Sequence, residues 1–128
     1  MLDNVRLRRA YEDPAPDDGH RVLVDRVWPR GRTREQLRID AWARNLGPST
    51  RLRKWFGHEP ARWQELQERY GAELDEPDLA QELDALAERA RNGPVTLVFG
   101  ARDTEHNQAR VIADELERRL AATTEVKR

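Results

Sequence analysis

The residues best equipped for chemistry in this chain fall in two stretches, Asp25–His58 and Asp103–Asn107. The first opens with a carboxylate, Asp25, inside an apolar run (RVLVDRV, 21–27), where an ionised group is costly unless it finds a partner. Arg26 is its neighbour but points to the opposite strand face, so the partner must come from elsewhere. A structural ion pair is the plainer reading and proton transfer the sharper one. His58 and His106 carry imidazoles suited to act as acid or base near neutral pH and are the other acid–base candidates. The catalytic candidates are therefore Asp25, His58 and His106.

The ligand-binding candidates surround them. Arg30, Arg51 and Arg53 carry planar forks suited to phosphate or carboxylate, and Arg26 joins Arg30 and Arg53 on the expected rim. Ser49 caps a predicted helix, and Asp103–Asn107 form the predicted start of another, with His106 in its first turn, so both helix starts offer free N–H groups. Trp28 and Trp55 flank arginines and suit ligand stacking, whereas Trp63 lies on a helical core stripe. The plainer alternatives are surface arginines, packed tryptophans, a helix-junction hydrogen bond for His58 and a cap for Asn107.

Other chemistries are subtracted. The chain has no cysteine, which removes thiolates, disulfides and cysteine zinc sites. Ser49 is the sole serine and stands outside a G-x-S-x-G elbow. Neither G-x-G-x-x-G nor G-x-x-x-x-G-K occurs, so no motif names a cofactor. No H-x-x-x-H spacing supports a metal, and none is assigned.

Charge points the same way as the candidates. Charged residues make up 37% of 128, with a net charge of −1. Residues 21–58 hold ten Arg or Lys against three acids, a balance of +7, and residues 59–128 stand at −6. A basic block suits an anionic partner, or pairs with acidic helices of its own domain.

These residues need elements to hold them. Val5–Tyr11, Arg21–Val27, Asp40–Leu46 and Val95–Phe99 read as strands. Thr33–Leu37 reads as one capped turn, and Ser49 starts a helix ended by Gly57. Trp63, Leu66, Tyr70 and Leu74 mark one helical face, and Leu79, Leu83, Leu86 and Ala90 a second. Ala109, Ile112, Leu116 and Leu120 mark a third. The expectation is an α/β fold: a small, mainly parallel sheet of about four strands flanked by helices. Residues 1–120 form a single domain, followed by a frayed tail over 121–128. The short, Pro-rich link between the first two strands suits an antiparallel pair. In such sheets ligands bind beyond the strands' carboxyl ends, where both stretches would converge. No leader and no apolar run near the roughly 18 residues of a membrane span is visible, so the expected location is the cytoplasm.

Four segments carry a resemblance: RVLVDRVWPRG (21–31), GPSTRLRKWFGHEPARW (47–63), RYGAEL (69–74) and VTLVFGARDTEHNQA (95–109). In this order and spacing they resemble the YeaO-like family of uncharacterised proteins, from Val5 to Leu120. The resemblance implies a cytoplasmic α/β domain and supplies no activity. Some relatives bear a transcriptional-regulator label, but no helix-turn-helix with a basic recognition helix is visible here. Asp25 and Arg26 resemble the start of a D-V-R-like strand end in the wider grouping. Distant members place Cys near Gly100 and Asn107. This chain has none, so no thiol role carries over. Relatives often have Lys at Arg34 or Arg102, so no lysine-specific chemistry carries over either.

Three readings remain, in this order. The first is a site for an anionic small molecule, such as a phosphorylated metabolite or nucleotide, with or without catalysis. The second is a nucleic-acid binder using residues 21–58. The third is a structural or partner-binding module.

Overall fold

A computed structural model describes residues 4–126, with side chains through Ala122. Among these, four strands form one sheet in the order β1-β4-β2-β3, and every pair is parallel. The strands are β1 (Val5–Arg9), β2 (His20–Leu23), β3 (Ala41–Trp42) and β4 (Val95–Phe99). The helices are α1 (Arg34–Leu37), α2 (Thr50–Phe56), α3 (Trp63–Leu74), α4 (Pro77–Asn92) and α5 (Gln108–Val126). This is the α/β class expected. The tail expected from Ala121 overlaps the last turns of α5, and its end lies outside the described residues.

Alternation along the strands builds two cores. Val22, Val24, Val95, Leu97 and Phe99 face the larger one with Leu66, Tyr70, Leu83 and Ile112 from α3, α4 and α5. Leu23 and Val98 face the smaller one with Leu37 and Ile39, closed by Trp28 and Trp42. β4 lies between β1 and β2, and all five of its residues are buried.

Local chemistry sets the helix boundaries. Thr33 and Gln36 form a reciprocal capping box on α1. Ser49 caps α2, and Gly57 ends it in the left-handed region at φ 53°. The apolar stripes read from the sequence are buried at Leu66, Tyr70 and Leu74, at Leu83, Leu86 and Ala90, and at Ala109, Ile112 and Leu116.

Several local expectations change: the last helix begins at Gln108, so that Asp103–Asn107 form the turn before it, and the first strand ends at Arg9 instead of Tyr11. β1 and β2 do not pair antiparallel, because β4 separates them and pairs parallel with both. The intervening segment 10–19 has ten residues, which reach about 33 Å when extended, enough to retrace a strand of about 17 Å without a helix. The second strand stops at Leu23 instead of Val27. Trp42 Nε1–H takes the Asp25 carbonyl at 2.7 Å, and Arg26 is drawn away towards the carbonyls of Gly47 and Pro48. The third strand shrinks to Ala41–Trp42, and Arg44–Leu46 forms a 3-10 turn that buries Leu46 and offers its carbonyl to the Tyr70 hydroxyl.

The amino end of β2 is tightly locked. Asp18 and Arg21 are both nearly fully buried and meet at 2.5 Å. Arg21 also donates Nε and Nη2 to the Leu37 carbonyl, at 3.0 and 2.8 Å. Arg8 reaches Asp18 Oδ1 at 3.2 Å, and the Ala15 N–H reaches Oδ2 at 2.9 Å. Burial pushes the Asp18 carboxyl up, but the Ala15 N–H, Arg21 and Arg8 together hold it below the usual carboxylate range.

Candidate functional site

Parallel strands send all their carboxyl ends to one side, where a cavity of about 280 Å³ opens. Its wall combines the segment after β2 (Asp25 to Pro29), Gly100 and Ala101 after β4, and Tyr11 beyond β1. Arg53 and Phe56 come from α2, His58 from the link after it, and Leu66 from α3. His106, Asn107 and Gln108 approach from the start of α5.

Asp25 is half-buried in this wall. Its Oδ2 accepts the Gly100 N–H at 2.9 Å, and its Oδ1 accepts the Gln108 side-chain amide. Among the described residues it forms no ion pair. Burial raises its carboxyl to about 6, against the partial opposition of the Gly100 and Gln108 bonds and the Arg53 charge. Gly100 allows this contact: a Cβ there would lie 2.9 Å from Asp25 Oδ2.

Arg26 is committed in part. Its Nε and Nη2 donate to Pro48 and Gly47 carbonyls at 2.9 and 2.8 Å, tying the end of β2 to the start of α2. Arg53 extends from the exposed face of α2 to the cavity and forms no ion pair among the described residues. His58 has φ 59°, in the left-handed region that a side chain rarely adopts. With Gly57 it turns the chain back, so that the imidazole lines the cavity.

His106 is held firmly. Its Nδ1 lies 2.9 Å from Asp103 Oδ2, and its ring meets Trp63 edge-on at 5.3 Å. Asp103 also accepts the Glu105 and His106 N–H groups, which with the imidazole bond hold its carboxyl below the usual range. With Nδ1–H donating to Asp103, Nε2 is the imidazole's remaining acceptor. Asn107 is buried and spans the turn: its amide donates to the Asp103 carbonyl, and its oxygen accepts the Arg110 N–H.

Thus Asp25, Arg26, Trp28, Arg53, His58, His106 and Asn107 share one cavity. Asp103 stands behind the wall as the support of His106. Arg30, Ser49 and Trp55 do not line it. Arg30 is exposed, and its carbonyl accepts the Tyr11 hydroxyl. Ser49 is bonded through N–H and hydroxyl to Glu73, at 2.9 and 2.6 Å. Trp55 lies under the Arg62 and Arg69 guanidiniums, at 5.5 and 4.5 Å. Trp28 packs edge-on against Trp42. Gln108 and Tyr11 are the polar wall residues that the sequence reading missed, since no local spacing links them to Asp25.

Much of the basic block is used internally. Arg21 pairs with Asp18, Arg32 donates to the Ala10 carbonyl at 2.9 Å, and Arg44 covers the Trp42 ring at 5.0 Å. Among the described residues no cluster of three or more His, Asp or Glu is placed to hold a metal ion. No helix there is long and apolar enough to cross a membrane.

A family model described as "Inactive DUF488-N3 subclade" matches residues 4–128. The chain belongs to this family. It is 41% identical to "Uncharacterized protein YeaO" of Escherichia coli (strain K12) over 113 residues, 88% of this chain and 96% of the relative. It is also 41% identical to "Uncharacterized protein Rv3073c" of Mycobacterium tuberculosis (strain ATCC 25618 / H37Rv) over 112 residues, 88% of this chain and 92% of the relative. The YeaO-like kinship expected from the four motifs therefore holds. No solved structure matches the chain significantly.

Proposed function

We propose that the cavity binds a small anionic molecule, of the class of phosphorylated metabolites or nucleotides. The observation that carries this reading is Arg53, a guanidinium with no ion pair among the described residues, beside Arg26, His58 and His106 on one cavity wall. Arg53 supplies the anion contact, and Phe56 and Leu66 supply an apolar surface for the rest of the ligand. The family's description as inactive agrees with binding in place of turnover. Nucleic-acid binding draws less support: Trp28 is engaged with Trp42, and Trp55 lies under two guanidiniums.

The test is calorimetric titration with inorganic phosphate, sulfate, ribose 5-phosphate and adenosine monophosphate, backed by thermal shift. At least one should bind, and Arg53→Ala should weaken it roughly ten- to a hundredfold, the range of a charge-assisted hydrogen bond. Equal affinity in wild type and Arg53→Ala, or no binding by any of the four, rejects the reading. A short single-stranded oligonucleotide serves as the competing arm. Tight, steeply salt-dependent binding of that probe alone would favour the nucleic-acid alternative.

A further inference from the structure

We propose, building on the anion-binding reading above, that the cavity takes up its anion together with one proton, which lodges on the Asp25 carboxyl. The geometry sets the problem. Asp25 and Arg53 line the same cavity, and Asp25 has no ion pair among the described residues to neutralise it. An anion drawn in by Arg53 therefore meets a carboxylate in a site partly shielded from water. Two negative groups sharing such a site favour protonation of one of them.

The other groups around Asp25 leave it as the natural acceptor. Arg26, from its own segment, already gives Nε and Nη2 to carbonyls. From α5, Gln108 donates to one carboxyl oxygen, and from the end of β4 the Gly100 N–H donates to the other. Each oxygen still has lone-pair capacity for a proton. Tyr70 of α3 is buried behind the site and stays neutral, and Glu73 of the same helix is bonded to Ser49. His58 and His106 line the cavity, and Asp103 holds His106. Burial already brings the Asp25 carboxyl to about 6, so uptake near neutral pH requires only a modest further bias. The balance is simple: protein, anion and one solvent proton give the complex, and no bond in the ligand changes.

Sulfate is the probe, because it does not titrate between pH 5 and 8. Wild-type affinity should fall roughly fivefold from pH 6 to 7, and proton uptake at pH 7, read by calorimetry in two buffers of different ionisation enthalpy, should approach one. Asp25→Asn should bind sulfate at pH 8 nearly as tightly as wild type does at pH 5, with little proton uptake. His58 and His106 line the same cavity and remain in that variant. A pH dependence that survives in Asp25→Asn therefore belongs to them and overturns the inference. In wild type, the Asp25 carboxyl carbon resonance should titrate at higher pH with sulfate than without it, and an unmoved midpoint also overturns the inference. Absence of sulfate binding at pH 5 overturns this proposal, and only absence of binding by all four anions named above overturns the anion-binding reading as well.

Discussion

The two ends of β2 carry the same side chain in opposite circumstances. At the amino end, Asp18 is buried with Arg21 and Arg8, and its carboxyl is held below the usual range. At the carboxyl end, Asp25 is half-buried, has neutral donors only, and titrates near 6. The first arrangement satisfies its groups within the fold. The second leaves a carboxyl at the wall of a cavity with no ion pair among the described residues and only the Arg53 charge acting on it. Fold and site are thus separated by the length of one short strand. Perturbed carboxyls cluster where function does, and here burial outweighs the neutral donors and the Arg53 charge that oppose it.

The largest break in this comparison is Arg21→Ala. It strips a buried carboxylate of its nearest cation and removes both donors from the Leu37 carbonyl. Removing one partner of a buried pair costs about 3–5 kcal/mol. Urea unfolding at pH 7 should show a loss of that size. A loss below about 1 kcal/mol would mean that Asp18 is no better integrated than an exposed ion pair. The linkage at this end has a definite sign: a lowered carboxyl adds stability above the usual carboxylate range and loses it as pH falls through the folded value.

Asp25→Asn should act in the other direction. The folded carboxyl keeps its proton to about 6, and the unfolded one releases it near 3.8. The associated stability is therefore complete below about pH 4 and is lost as pH rises to about 6. Asparagine is neutral throughout and still offers an oxygen, with Gln108 able to turn its amide over. We expect a gain of roughly 1–2 kcal/mol at pH 8, discounted for partial exposure, and none at pH 3. Chemical denaturation at both pH values checks this. A loss at pH 8 would make Asp25 a structural carboxylate like Asp18 and erase the difference between the two ends.

The sequence carried the scaffold well, because local signals decide it. Thr33, Ser49 and Gly57 act as caps, and the leucine stripes of α3 and α4 are buried, from chemistry visible within a few residues. The β1–β2 relation was hidden, because β4, more than seventy residues later, inserts between them. The site divides in the same way. Asp25, His58 and His106 stood out as costly or titratable groups, and strand ends pointed them to one side. Gln108 carried no local signal, since its partner lies 83 residues away. Ser49 and Trp55 looked like ligand groups until Glu73, Arg62 and Arg69 came into view as their partners.

The smallest effect tests whether Gln108 tunes the carboxyl end. Its amide bond favours the ionised form of Asp25, as does the Gly100 N–H, and both oppose burial. Gln108→Leu keeps a good helix former at the first residue of α5 and removes only the donor. The Asp25 midpoint should then rise above its value of about 6. Stability at pH 8 should fall by about 1 kcal/mol, the net worth of one hydrogen bond, with less change at pH 3, where the carboxyl is neutral. Carbon-detected titration of Asp25 beside denaturation at the two pH values reads both effects. A midpoint that stays in place would transfer the tuning to Gly100 and Arg53. The contrast between the two ends of β2 would then rest on backbone and distant charge, with no side-chain bond contributing to it.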